Sequence, residues 1–173
     1  MTAVPISRGE TFNYFYDVRV NSGNVSGGKL IDLFPQYLTL TGAINAPTGW
    51  SCQSEYVTSG SETRVRLSVK CETNNLLLSG SVHSFVVPVQ LADDAPNNAQ
   101  MGNIAYICEK NIPDGSGGTN PNPLCPTTVN PPPECKDLPP EEQKKDPACI
   151  KVDNGFDLSL RKYIDSNDAE TAD

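Results

Sequence analysis

Basic residues are scarce in this chain: 13 Lys and Arg stand against 21 Asp and Glu over 173 residues, a net charge of −8. Phosphate binding needs a clustered basic patch, and no local Lys/Arg cluster offsets the excess, so no nucleic-acid partner is expected. The acidity keeps a crowded surface soluble and leaves room for weak cation binding. Also missing is any apolar run long enough to span a bilayer, so no membrane insertion by this segment is expected. The first residues, Met1-Thr2-Ala3-Val4-Pro5, have neither the basic nor the apolar region of a signal peptide. Met1 is therefore expected to be an artificial start or an internal cut from a longer exported protein.

Catalytic and metal-binding equipment is equally thin. His83 is the only histidine, and no Gly-x-Ser-x-Gly elbow accompanies it. It reads as an exposed strand residue, and the chain reads as a non-enzyme. No two cysteines stand in a CxxC pair, which argues against zinc ribbons and thioredoxin-like sites. Asp93-Asp94 and Asp114-Gly115-Ser116-Gly117 lack the ligand spacing of an EF-hand loop and read as solvated turns. Neither a metal nor a cofactor is expected.

What the chain does have is proline, unevenly spread. Ten of its 15 prolines lie between Pro113 and Pro147, so that stretch cannot carry a packed core. The division that follows is a body over residues 1–109, a Pro/Gly/Asn-rich linker over 110–154, and a final segment over 155–173. A body of about 110 residues is enough for one sheet-on-sheet core. The linker should be semi-extended, with polyproline character at Pro131-Pro132-Pro133.

Within the body, period-two alternation dominates. Phe12, Tyr14, Tyr16, Val18 and Val20 alternate with Asn13, Phe15, Asp17 and Arg19, the mark of a half-buried strand ended by the turn residues Asn21-Ser22-Gly23-Asn24. Short strands follow at Lys29 to Pro35 and at Leu38 to Leu40, and Trp50 shares a strand face with Cys52. Arg64 to Cys71 alternates again. Leu76 to Leu78 leads into a strand from Ser81 to Leu91, in which Pro88 signals an edge or a bulge. Ala99 to Cys108 closes the body. Nothing shows a helical period, and short strands at this spacing predict an all-β sandwich. After the linker, Phe156, Leu158, Leu160, Lys162 and Ile164 alternate with Asp157, Ser159, Arg161 and Tyr163, a strand with one lysine on its apolar face.

Six cysteines in a loop-heavy chain fit disulfides in an oxidising compartment. Cys52 and Cys71 both lie on apolar strand faces, and a bond between them would contribute roughly 3 kcal/mol in the chain-entropy model. Cys108, Cys125, Cys135 and Cys149 allow three pairings. Cys135 with Cys149 inside the linker, complemented by Cys108 with Cys125, is one of them.

The strings Gly9-Glu10-Thr11-Phe12-Asn13-Tyr14, Asp32-Leu33-Phe34-Pro35, Gly49-Trp50-Ser51-Cys52 and Gly102-Asn103-Ile104-Ala105-Tyr106 occur in that order. Together they resemble the conserved repeat domain of bacterial surface proteins, related to the isopeptide-forming domains of fimbrial shafts and collagen-adhesin-type proteins. The resemblance covers most of the chain outside the linker. It implies an immunoglobulin-like β-sandwich of about seven strands, an extracellular location on a bacterial cell surface, and a structural role. In that family a segment like Phe156 to Ile164 is the first strand of a repeat, whereas here it comes last. The expected consequence is strand complementation: the final strand completes the sheet of its own body, or that of the next copy. The expected partner is thus a further copy or a neighbouring repeat. The rival reading is an adhesin module whose sandwich loops bind a host protein or glycan.

The resemblance also supplies a chemistry. In the isopeptide-forming relatives a first-strand lysine joins a last-strand asparagine with help from a buried acid, and the matching positions are Lys162, Asn103 and Asp32. Asp32 shares its strand face with Leu30 and Phe34, and Asn103 shares one with Ala105 and Ile107. In an apolar pocket the lysine shifts toward its neutral, nucleophilic form. The acid then polarises the asparagine carbonyl and shuttles a proton as ammonia leaves. Such a step is a single autocatalytic turnover. The plainer alternative leaves Lys162 snorkelling to solvent and Asp32 bonding backbone at a strand end.

Overall fold

Alternation decides the first strand of the computed structural model, β1 (Thr11–Val20). Its even-numbered residues Phe12 to Val20 are buried and the residues between them are not. The structure describes residues 6–58, 62–96, 101, 103–113, 116, 118–123 and 125, and the backbone of 158–163. Among these there is no helix. The elements in chain order are β1, β2 (Val25–Leu33), β3 (Leu38–Leu40), β4 (Ser51–Thr58), β5 (Val65–Leu77) and β6 (Val82–Leu91). These are followed by β7 (Ile104–Glu109), β8 (Asn111–Pro113), β9 (Thr119–Pro121) and β10 (Leu158–Tyr163).

Two antiparallel four-stranded sheets form, in the orders β10-β1-β6-β3 and β4-β5-β2-β7. Their inner faces supply one core. Phe12, Tyr14, Tyr16, Val18, Phe85, Val87 and Val89 come from the first sheet, and Leu30, Leu67, Val69, Cys71, Ala105 and Ile107 from the second. The arrangement is an all-β, antiparallel sandwich, as the strand spacing predicts. β10 pairs with β1 in the register Tyr16↔Lys162, Val18↔Leu160 and Val20↔Leu158, so the final strand does extend the first sheet.

Four local features depart from the sequence reading. β2 begins at Val25 rather than near Lys29, because Gly27, at φ 76°, absorbs a register shift between Ser26 and Gly28 and the strand runs on through it. A side chain at Gly28 would collide with the Trp50 ring, which packs against its backbone. Leu76 and Leu77 belong to the long β5, not to the strand that follows it. Pro88 is not on an edge strand, since β6 pairs with β1 on one side and β3 on the other. Its carbonyl accepts from the Thr41 backbone, but β3 has already left the ladder there and pairing resumes only at Asn45↔Val86. The missing N–H thus falls in a gap where no donor is needed. Finally, the segment read as a linker opens with a hairpin, β8 with β9, tied to the body by a Cys108–Cys125 disulfide.

The second disulfide, Cys52–Cys71, joins directly opposed residues of β4 and β5. Cys135 and Cys149 lie outside the described residues. β4 is an edge strand exposed on most of both faces, so burial contributes little to holding it. The double variant Cys52→Ala/Cys71→Ala should therefore lose about 2–4 kcal/mol of stability in urea unfolding, while Cys108→Ala/Cys125→Ala leaves the β4–β5 hairpin oxidised. A double variant within 0.5 kcal/mol of the parent (roughly the noise of such a measurement) would show that the ladder alone fixes β4.

Candidate functional site

A carboxyl group lies in the middle of the apolar interior. Asp32 is near the C-terminal end of β2 and faces inward with Leu30 and Phe34, only 1% exposed. Moving a charge there costs several kcal/mol unless hydrogen bonds replace the water. Two are supplied from different parts of the fold. The Tyr16 hydroxyl, on β1 of the opposite sheet, donates to Oδ2 of Asp32. Asn103 Nδ2 donates to the same oxygen at 2.9 Å. Asn103 stands just before β7, where the Asp32↔Ala105 register makes it the diagonal neighbour of Asp32. It is 3% exposed, and its Oδ1 is buried with no hydrogen-bond partner among the described residues.

Lys162 is the third residue of the set. Its backbone is described and its side chain is not. The β1–β10 register sets its backbone directly opposite Tyr16. β10 also runs within contact distance of β7 of the other sheet. Asp32 and Asn103 are thus brought together, and Lys162 is placed in backbone register beside the tyrosine that touches them.

Sequence reasoning passed over Tyr16, reading it as one more apolar-face aromatic. Burial above all, and then the charge of Asp32, push its phenol well above the usual range, so it stays a donor at all working pH values. The signal was present: among the even-numbered residues of β1 only Tyr14 and Tyr16 carry a polar atom, and a buried hydroxyl needs a partner. Asn103 turns its nitrogen, not its carbonyl oxygen, to Asp32, which is not the contact expected of an acid that polarises the carbonyl.

A second buried acid went unnoticed as well. Glu109, at the end of β7, accepts from the Ser26 backbone N–H at 3.0 Å through Oε1, whereas Oε2 is buried without a hydrogen-bond partner among the described residues. Burial raises its pKa.

His83 is not the exposed residue expected. It faces inward at the end of β6, half-buried, with Trp50 Nε1 donating to Nδ1 at 3.4 Å and Ser81 Oγ 3.0 Å from Nε2. Asp94 pairs with Arg64 at the surface. No cluster of three or more metal-ligating side chains occurs among the described residues. No protein-family model matches the chain, and no curated protein or solved structure matches it either.

Burial lowers the His83 pKa, and the Trp50 bond requires an unprotonated Nδ1. The unfolded chain therefore takes up the proton first as the pH falls. Stability from this group is complete above the ordinary imidazole value of 6.5. It declines as the pH drops through that value and stops declining below the folded-state pKa. Thermal scans from about pH 8 to pH 5 should show a falling midpoint that His83→Gln flattens. An equally steep profile in the variant would remove the histidine from the account.

Proposed function

We propose that this chain is a structural module of a bacterial cell-surface or fimbrial protein, an immunoglobulin-like sandwich completed by its own last strand and locked by an amide between Lys162 and Asn103. The observation that carries this reading is the meeting of Asp32 and Asn103 in the core beside the residue that faces Lys162 across the β1–β10 ladder. A buried acid hydrogen-bonded to a buried primary amide has no evident packing purpose. It does have the parts for acyl transfer from one nitrogen to another.

In the proposed step the Lys162 ammonium gives one proton to the Asp32 carboxylate, which leaves a neutral amine in apolar surroundings. Nζ attacks Cγ of Asn103, the Nζ–Cγ bond forms and the Cγ–Nδ2 bond breaks. The carboxyl of Asp32 passes one proton to Nδ2, which leaves as ammonia. The second proton lost by the lysine stays on Asp32 or departs with ammonia as ammonium. No oxidant, metal or cofactor is needed, and the product is a structural bond rather than a turnover site. Pairing of β10 with β1 within one chain supports docking in cis. The two disulfides are compatible with an extracellular protein.

Intact mass spectrometry tests the reading directly. The folded chain should weigh about 17 Da less than its sequence, beyond the losses from disulfides, for one ammonia expelled. Lys162→Arg and Asp32→Ala should keep the full mass. Lys162→Arg should also lose about 4 kcal/mol of stability, the chain-entropy value for a loop of roughly 60 residues. Boiled, reducing gels should show a monomer, whereas a ladder would mean that the strand docks into the next copy. An unmodified parent mass would overturn the cross-link. A chain truncated of residues 155–173 with unchanged stability would overturn strand completion.

A further inference from the structure

We propose that Tyr16 is a positioning residue for the cross-linking step: its hydroxyl locks the Asp32 carboxyl in the orientation that presents Oδ2 to the leaving nitrogen of Asn103. The proposal rests on the Lys162–Asn103 reading above and adds a residue which that reading does not require.

The geometry points to Tyr16 in three ways. Its hydroxyl reaches across the core from one sheet to the other, and it donates to the same carboxyl oxygen that Asn103 Nδ2 occupies at 2.9 Å. A carboxyl on a short side chain can otherwise turn about its last bond. Two donors converging on Oδ2 from different elements, one on β1 and one beside β7, fix that bond. In the backbone register Tyr16 stands between Phe85 of β6 and Lys162 of β10, so the β10 strand is registered on the residue that orients the acid. Finally, Tyr16 is 1% exposed in a row where Phe12 and Val18 do the same packing with no polar atom. A phenylalanine would fill the space, so the hydroxyl is there for its bond to Asp32.

Tyr16 neither gives up nor receives a proton in the step. A hydrogen bond donated to a carboxylate favours the ionised form, which is the form that must accept the first proton from the Lys162 ammonium. Remove the hydroxyl, and the carboxyl both swings away from Nδ2 and holds its proton to higher pH. The acid side of the rate–pH profile then moves up.

The test uses the full-length chain, isolated in denaturant before it can react and then diluted into native buffers of different pH. Loss of ammonia is followed by intact mass against time. Tyr16→Phe should react roughly 10- to 100-fold more slowly, with the acid limb of its profile displaced to higher pH. Tyr14→Phe, a buried neighbour on the same strand face, should keep the parental limb. Placing 3-fluorotyrosine at position 16 keeps the size and strengthens the donor, and should displace the limb to lower pH. That variant decides the matter if Tyr16→Phe does not refold. A Tyr16→Phe chain with the parental profile, or slowed equally at every pH, would overturn the positioning role while leaving the cross-link standing. A parent chain that never loses ammonia would instead overturn the cross-link, and the role of Tyr16 with it.

Discussion

The hydrogen bond between Tyr16 and Asp32 joins the two sheets through the core, and the placement of several elements follows from it. A buried carboxyl is tolerated only where donors reach it from fixed positions. One donor requires β1 to present its even-numbered face inward. The other requires the residue before β7 to stand diagonally beside Asp32. A one-residue slip of β1 would turn Tyr16 to solvent and put Phe15 or Asp17 inside. Alternating apolar residues would accept several partners for the two sheets, but the polar contact accepts one. Register in this sandwich is set by polar satisfaction as much as by hydrophobic burial.

The same contact makes sense of the final strand. Without β10, the ten residues of β1 would be the open edge of the first sheet, a long edge with an apolar inner face of the kind that recruits other chains. The other edges are blunted in their own ways. β3 is only three residues long. β4 is polar and carries a disulfide to its neighbour. β7 is followed by the hairpin and by the Cys108–Cys125 bond. Only β1 depends for its cover on a segment distant in sequence.

Much of the fold was legible because period two needs no tertiary information. The faces of β1, the inward direction of Asp32 and Asn103, and the strand faces assigned to Cys52 and Cys71 all follow from parity once the strands are recognised. The misreadings came where a long-range partner decides. Starting the second strand at Lys29 misses the bulge that Gly27 permits. Pro88 looks like an edge marker until one knows that β3 stops short of it. His83 looks solvent-exposed until Trp50, 33 residues away, is found against it. Tyr16 was hidden for a different reason: on an apolar face a tyrosine counts as bulk, and only the residue opposite its hydroxyl shows that it is polar chemistry. Asp32, Asn103 and Lys162 were picked out by resemblance, whereas the tyrosine needed the distance between two sheets.

If the chain is the fibre module proposed above, the position of Lys162 along β10 decides how the docked strand meets a load. β10 is antiparallel to β1, and its C-terminal end, Tyr163, lies opposite Phe15 in the first half of β1. The C-terminal end of β10 and the N-terminal end of β1 therefore lie toward the same end of the sheet. Tension between them would peel β10 from β1 one hydrogen-bonded pair at a time, which takes far less force than shearing all the pairs at once. Lys162 is the second residue such a force would reach. An amide from Lys162 to Asn103 would divert the load at that point into the start of β7, an element of the other sheet, before more of the β1–β10 ladder was stressed. A lysine at the far end of the strand, near Leu158, could form the same bond chemically and protect none of the pairs before it. The proposed cross-link thus sits near the end of the β1–β10 ladder at which such peeling would begin.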